Sequence, residues 1–213
     1  MSTIFIEQVF KRFKNHIVLD NINLQVQANE HIALIGSNGA GKTTLMRCLL
    51  GEYNYDGLIN VNDLNPRQNR QTILKRIGFV PQLPPPLKMP VGQLIKFAAG
   101  VCDTNPSNII DITKQLGLDI QTFIHRPFNK LSGGQKQKLL IGIALGRNSD
   151  ILIMDEPAAN LDPEAREIFL KLLKAERAIT LISSHRLNEI TTLVNRVIEL
   201  DMGKIIVDKK ITN

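Results

Sequence analysis

Cysteine is scarce in this 213-residue chain: there are two, Cys48 and Cys102, far apart and neither in a Cys-x-x-Cys pair. That excludes a disulfide framework or a thiolate zinc site and points to a reduced compartment. Long apolar runs are also missing. No stretch approaches the roughly 18 to 20 residues needed to span a bilayer, and residues 1–7 hold no basic segment followed by an apolar one. The expectation is a protein that is neither secreted nor membrane-spanning. Blocks of one charge, internal repeats and low-complexity tails are absent too, so the formal net charge of +6 is dispersed and reads as a solvated surface. With 43% hydrophobic residues, the chain has enough for one large domain, or two small subdomains sharing a core.

Hydrophobic periodicity divides the chain into short elements. Residues 3–9 and 21–27 alternate apolar with polar, Ile22, Leu24 and Val26 facing one way, which predicts a small antiparallel sheet. Residues 31–35 are an apolar run ending at Gly36, and 42–50 continue without a breaker to Gly51, giving strand, glycine loop and helix. A buried strand is expected at 77–80, after which Pro81-Gln82 and Pro84-Pro85-Pro86 forbid regular structure. Helices follow at 91–99, at 106–116 with Asn105 as cap and Pro106 first, and at 133–146. Residues 151–154 form a continuous apolar strand, Asp162-Pro163 open a helix to about 176, 179–182 are another buried strand, and 197–207 form a hairpin around Met202-Gly203. Strands alternating with helices imply an α/β fold with a mainly parallel, doubly wound sheet.

Three constellations carry chemistry. Gly36-Ser37-Asn38-Gly39-Ala40-Gly41-Lys42-Thr43-Thr44 satisfies G-x-x-x-x-G-K-[ST]. Its glycines let backbone N–H groups point at phosphates, Lys42 reaches the β- and γ-phosphates, and Thr43 offers a hydroxyl to Mg²⁺. Asp155 and Glu156 end the apolar strand, where ligands of such sheets bind. Asp155 suits the metal's outer shell, and Glu156 can orient or partly deprotonate an attacking water, although acidic pairs at strand ends are also common helix caps. Leu131-Ser132-Gly133-Gly134-Gln135 places a serine hydroxyl and two unhindered N–H groups at a helix start, a second anion site. Alone, such a serine would be read as a simple cap.

In this order the motifs resemble, over the whole chain, the nucleotide-binding domain of ATP-binding-cassette (ABC) proteins. Residues 36–44 match the Walker A loop, Leu131 to Gln135 the signature and Asp155 the end of the Walker B strand. The resemblance implies a base-stacking role for Phe13, nucleotide contacts from Ser37, Asn38, Gly39, Ala40, Gly41, Lys42, Thr43 and Thr44, and a glutamine at Gln82 that senses Mg²⁺ and the γ-phosphate. It implies trans contacts from Ser132, Gly133, Gly134 and Gln135, a catalytic glutamate at Glu156, a D-loop ending at Asp162 and a switch histidine at His185. Metal contacts fall to Thr43, Gln82 and Asp155.

The implied fold is a P-loop NTPase core with an N-terminal antiparallel β subdomain and an inserted α-helical subdomain: one ABC ATPase domain over 1–213, with core 1–86 and 148–213 and signature subdomain 87–147. The cofactors are ATP and Mg²⁺. The partners are an integral-membrane permease and a second ATPase subunit in a head-to-tail homodimer, on the cytoplasmic face of the cell membrane, with no nucleic acid. The compact length and residues 183–189 look most like small exporter-type (ABC-2-like) ATPases. The alternative is a soluble ABC ATPase acting on nucleic acid, the ribosome or a metallocluster scaffold. Departures from the family pattern are Asn29 for a glycine, Phe13 for a tyrosine, Ala158 for threonine or serine, and Ile143 for an arginine.

Overall fold

The computed structural model describes residues 3–184 and 190–211. The chain divides into two compact units, Met1–Leu74 with Arg177–Asn213, and Lys75–Glu176.

The first unit opens with β1 (Ile4–Phe13) and β2 (His16–Val26), paired antiparallel with Ile4 opposite Val26 and Phe13 opposite His16. Both strands are longer than the alternation in sequence suggests, because a bulge at Gln8, with φ +48°, shifts the pattern mid-strand. A third strand, β4 (Asp56–Val61), pairs with the other edge of β1 and was not anticipated. Gly57 hides it from a propensity reading, yet its φ is +95° and a Cβ there would strike the Gln8 carbonyl, so glycine lets β4 pass the bulge. The five-residue helix α2 (Arg70–Leu74) is too short to show a period and was also missed.

Below this sheet in sequence, β3 (His31–Ile35) runs parallel to both β7 (Ile179–Ser183) and β8 (Arg196–Asp201), and β8 turns back into β9 (Lys204–Lys210), in the order β7-β3-β8-β9. The expected hairpin is there: Met202 and Gly203 have φ of +44° and +78°, the left-handed pair a tight two-residue turn needs. Helix α1 (Lys42–Leu49) follows β3, and Cys48 on it is fully buried, burial pushing its thiol up to about 12 and leaving it inert. Asn29, where the family favours glycine, has φ +65° and its carbonyl accepts from Asn195 Nδ2 at 3.1 Å.

One ion cluster closes the first unit. Arg196, 9% exposed, donates to Glu30 Oε2 (2.9 Å), to both carboxylate oxygens of Asp208 (2.7 Å each) and to the Gln25 carbonyl (2.7 Å). It ties β8 to β9, to the end of β2 and to the turn before β3.

In the second unit, β5 (Ile77–Val80) and β6 (Ile151–Asp155) run parallel with Val80 opposite Met154. No regular element occupies 81–90, as the prolines require. Helices α3 (Val91–Val101), α4 (Pro106–Gln115), α5 (Gly133–Leu145) and α6 (Pro163–Ala175) belong to it, with 3₁₀ turns at Ile120–Phe123 and Phe128–Lys130. Asn105 caps α4 by accepting from Ser107 N at 2.9 Å, and Asp162 caps α6 by accepting from Ala165 N at 2.8 Å, each followed by proline at the first helical position. Helix α5 is buried from Leu139 to Leu145, and Gly142 allows it to close on α4, for a Cβ there would meet the fully buried Thr113.

Two outcomes test the Arg196 cluster. Arg196→Met leaves Glu30 and Asp208 with only the exposed Lys210 ammonium, 3.5 Å from Glu30, and should cost about 3 kcal/mol in urea unfolding. Arg196 also holds the Asp208 carboxyl below the usual carboxylate range. The unfolded chain therefore takes up that proton first; the stability from this pair is present above about pH 4 and drains away as pH falls further, a loss that Arg196→Met should reduce to the small part held by Lys210.

Candidate functional site

The loop between β3 and α1 is shaped by its neighbours. Gly36 has φ +143° and a Cβ there would collide with the Leu200 carbonyl; Gly41, the left-handed cap of α1 at φ +108°, would put one 2.7 Å from the Val18 carbonyl. Gly203 N donates to Ala40 O (3.1 Å) and Gly203 O accepts from Asp20 N (2.8 Å), so the hairpin tip bridges the loop and β2. Lys42, 8% exposed, reaches back across the loop and donates through Nζ to the carbonyls of Gly36 (2.7 Å) and Ser37 (2.9 Å). An ammonium is thereby fixed over a ring of backbone at the positive end of a helix, which is what a polyphosphate requires. Thr43 and Thr44 follow in the first turn.

Phe13 ends β1 in the same unit and is 41% exposed. Leu34 of β3 lies opposite Ser183 of β7, so the chain after β7 leaves at the end of the sheet where the loop begins. Ser184 follows β7, and His185 after it lies outside the described residues.

In the second unit the parallel pairing of Val80 with Met154 brings Gln82, Asp155 and Glu156 to the same carboxyl end. Asp155 is 3% exposed and Gln82 is exposed. Glu156 adopts φ +50°, a left-handed conformation that costs a non-glycine residue on the order of 1 kcal/mol. Gln82 and Asp155 present oxygen, the hard donor Mg²⁺ takes, and so does Thr43 in the first unit; each is a donor of the type that ion accepts. Among the described residues no cluster of three His, Cys, Asp or Glu forms a separate metal centre.

The signature segment is more committed than its sequence shows. Ser132 caps α5 in a reciprocal box: its Oγ accepts from Gln135 N (3.2 Å) and its own N–H donates to Gln135 Oε1 (2.9 Å). The Gln135 side chain and the Ser132 N–H are thus engaged within the cap, while the Ser132 hydroxyl, which both donates and accepts, keeps its proton for a ligand. Gly133 has open space around its Cα, and Gly134 passes close to the Asn160 carbonyl, where a Cβ would sit at 3.1 Å.

Two residues of this site escaped the sequence reading. Gln137, fully buried, donates through Nε2 to the Pro157 carbonyl at 2.8 Å and so fixes the chain directly after Glu156. Lys138 Nζ lies 2.7 Å from Asp162 Oδ2, joining α5 to the cap of α6, and with the Ala165 N–H holds that carboxyl below its usual range. The available signal was Gln137 itself, a polar residue in line with apolar Ile141 and Ala144 on one helix face, which needs a buried partner.

The chain matches the description "ABC transporter" over residues 19–159. It belongs to the ABC transporter family. It is 32% identical over 95% of its length to an arginine transport ATP-binding protein of Bacillus subtilis, covering 89% of that protein. A lantibiotic transport ATP-binding protein of Streptococcus pyogenes is 31% identical, with 96% of this chain and 90% of that one covered. The fold also superposes on the dimeric structure of a bacterial ABC transporter cassette, with a TM-score of 0.84, 24% identity and 99% of both chains covered. Within this family the chain is an ATPase, and the loop at Lys42 has the shape and charge that a phosphate cradle needs. No described helix is long and apolar enough to cross a membrane.

Lys42→Ala removes the ammonium from the cradle and should weaken ATP binding at least about tenfold, as the loss of charge-assisted hydrogen bonds to phosphate implies. Equilibrium titration with labelled ATP measures it; unchanged affinity would count against the cradle.

Proposed function

We propose that the chain is the ATPase subunit of a transporter, powering substrate movement through a separately encoded membrane permease as a head-to-tail homodimer on the cytoplasmic face of the cell membrane. One observation carries this reading: the same chain holds two helix starts suited to an anion, α1 with its fixed Lys42 and α5 with its capped Ser132. A single ATP needs only the first. In a head-to-tail pair each nucleotide lies between one subunit's loop and the other's signature, and two-fold symmetry gives two equal sites.

In this reading Phe13 stacks on the base and residues 37–44 cradle the phosphates. Ser132, Gly133 and Gly134 approach the γ-phosphate from the opposite subunit, with Gln135 holding their helix start and Asp162 joining the subunit contact. Glu156 orients the attacking water and accepts its proton, aided by His185 and Gln82. Thr43, Asp155 and Gln82 would hold Mg²⁺, which when bound neutralises charge on the β- and γ-phosphates. The functional division is a catalytic core, 1–86 and 148–213, with the signature subdomain 87–147.

The permease-facing surface is assigned to the stretch after β5. Leu83 is 81% exposed, and Leu87, Met89 and Phe97 on α3 are exposed as well. This stretch is braced by main-chain bonds from Phe128 N to Met89 O (2.9 Å) and from Asn129 N to Leu87 O (2.9 Å), three and two residues before the signature begins at Leu131. A push on Leu87 or Met89 is therefore carried by stiff backbone toward Ser132.

Glu156→Gln tests the core of the proposal. ATP affinity should persist, hydrolysis should fall by about a hundredfold or more, and Mg-ATP should move the protein to a dimer in size-exclusion chromatography. Full turnover would remove Glu156 from its role. Capture of the tagged chain from native membranes in mild detergent should bring down a multi-spanning partner that stimulates the ATPase; a ribosome, nucleic acid or cluster scaffold in its place would overturn the transporter reading.

A further inference from the structure

An exposed phenylalanine at the end of a strand would ordinarily be free to rotate, and a freely rotating ring is a poor stacking surface because binding must first order it. Phe13 is not left free. Tyr53, from the turn after α1, packs edge-to-face against it, with ring centroids 5.2 Å apart and planes at 84°. Lys11, two residues back on β1, lays its ammonium 4.5 Å from the Phe13 centroid and 5.6 Å from that of Tyr53. Tyr53 is held in turn by Arg47, in the last turn of α1, which donates to the Tyr53 hydroxyl at 3.1 Å and lies 5.6 Å from the ring centroid. Arg47 is oriented by Glu52 at 3.9 Å. A chain of contacts thus runs from the helix that begins at Lys42 back to the ring at the end of β1.

We propose that Lys11 and Tyr53 are positioning residues for the nucleotide base: braced by both, Phe13 presents a pre-ordered ring, and Arg47 ties that clamp to the helix that begins at Lys42. The inference rests on the reading of Phe13 as the base-stacking residue. The cation serves two ends. It restrains two rings at once, and it draws π density from Phe13, which favours stacking on an electron-rich purine. Since the clamp acts on the base and not on the phosphates, its effect separates from damage to the cradle.

The experiment compares two probes at about 0.15 M salt: Mg-ATP, and Mg-tripolyphosphate, which has phosphates but no base. Lys11→Met and Tyr53→Leu should each raise the Kd for ATP about two- to fivefold, the effect of losing one cation–π or aromatic contact. The tripolyphosphate Kd and the kcat at saturating ATP should stay at wild-type values, and Lys11→Arg, which keeps a cation over the rings, should recover ATP affinity. Wild-type ATP affinity in both Lys11→Met and Tyr53→Leu, with Phe13→Ala weakened, would overturn the clamp and leave Phe13 as the stacking residue. An unaffected Phe13→Ala would remove the base-site reading and the clamp together. Equal weakening of ATP and tripolyphosphate in the Lys11 and Tyr53 variants would also overturn the proposal, since it would mark general damage to the fold.

Discussion

Everything chemical in the first unit depends on backbone closing around backbone at the loop from Gly36 to Gly41. Three carbonyls and N–H groups from distant segments define its path: Leu200 against Gly36, Val18 against Gly41, and Gly203 bonded to Ala40. The first two approaches do not tolerate a Cβ, so Gly36 and Gly41 are required by contact as well as by positive φ. The constraint reaches the chemistry through Lys42, whose ammonium is positioned by the carbonyls of Gly36 and Ser37 and so inherits the rigidity of β2 and the hairpin tip. The Arg196 cluster acts one step further out, fixing β9 to β8 and thereby the turn that carries Gly203.

The second unit follows a different logic, in which side chains set backbone. Ser132 and Gln135 define where α5 starts, Gln137 holds the Pro157 carbonyl beside Glu156, and Lys138 binds the cap of α6. One helix therefore organises the signature, the segment after the Glu156 carboxylate and the cap of α6 at Asp162. Its buried middle, from Leu139 to Leu145, anchors those polar contacts in the core. The unusual φ of Glu156 is consistent with this: a conformation costing about 1 kcal/mol persists only where the surroundings over-determine it.

Much of this was legible because the signals are local. A cap and a proline announce α4 and α6, a Met-Gly pair announces the last hairpin, and the glycine loop announces itself by spacing. What escaped reading was β4, whose glycine is needed only because β1 bulges at Gln8, and α2, too short to have a period. The cap role of Gln135 was missed for another reason. A signature glutamine and a capping-box glutamine look the same in sequence, and only the observed bonds to Ser132 separate them.

By itself, then, the sequence determined the chemistry on offer: which groups can hold phosphate, donate a proton acceptor or meet a cation, since these follow from residue type and short-range spacing. The tertiary structure decided which of those groups are held still. Arg196 meets Gln25, Glu30 and Asp208, and Tyr53 meets Phe13, across separations that no local pattern encodes. Such partners are chosen by packing, because a buried charge or an exposed ring takes whatever neighbour the fold brings within a few ångströms.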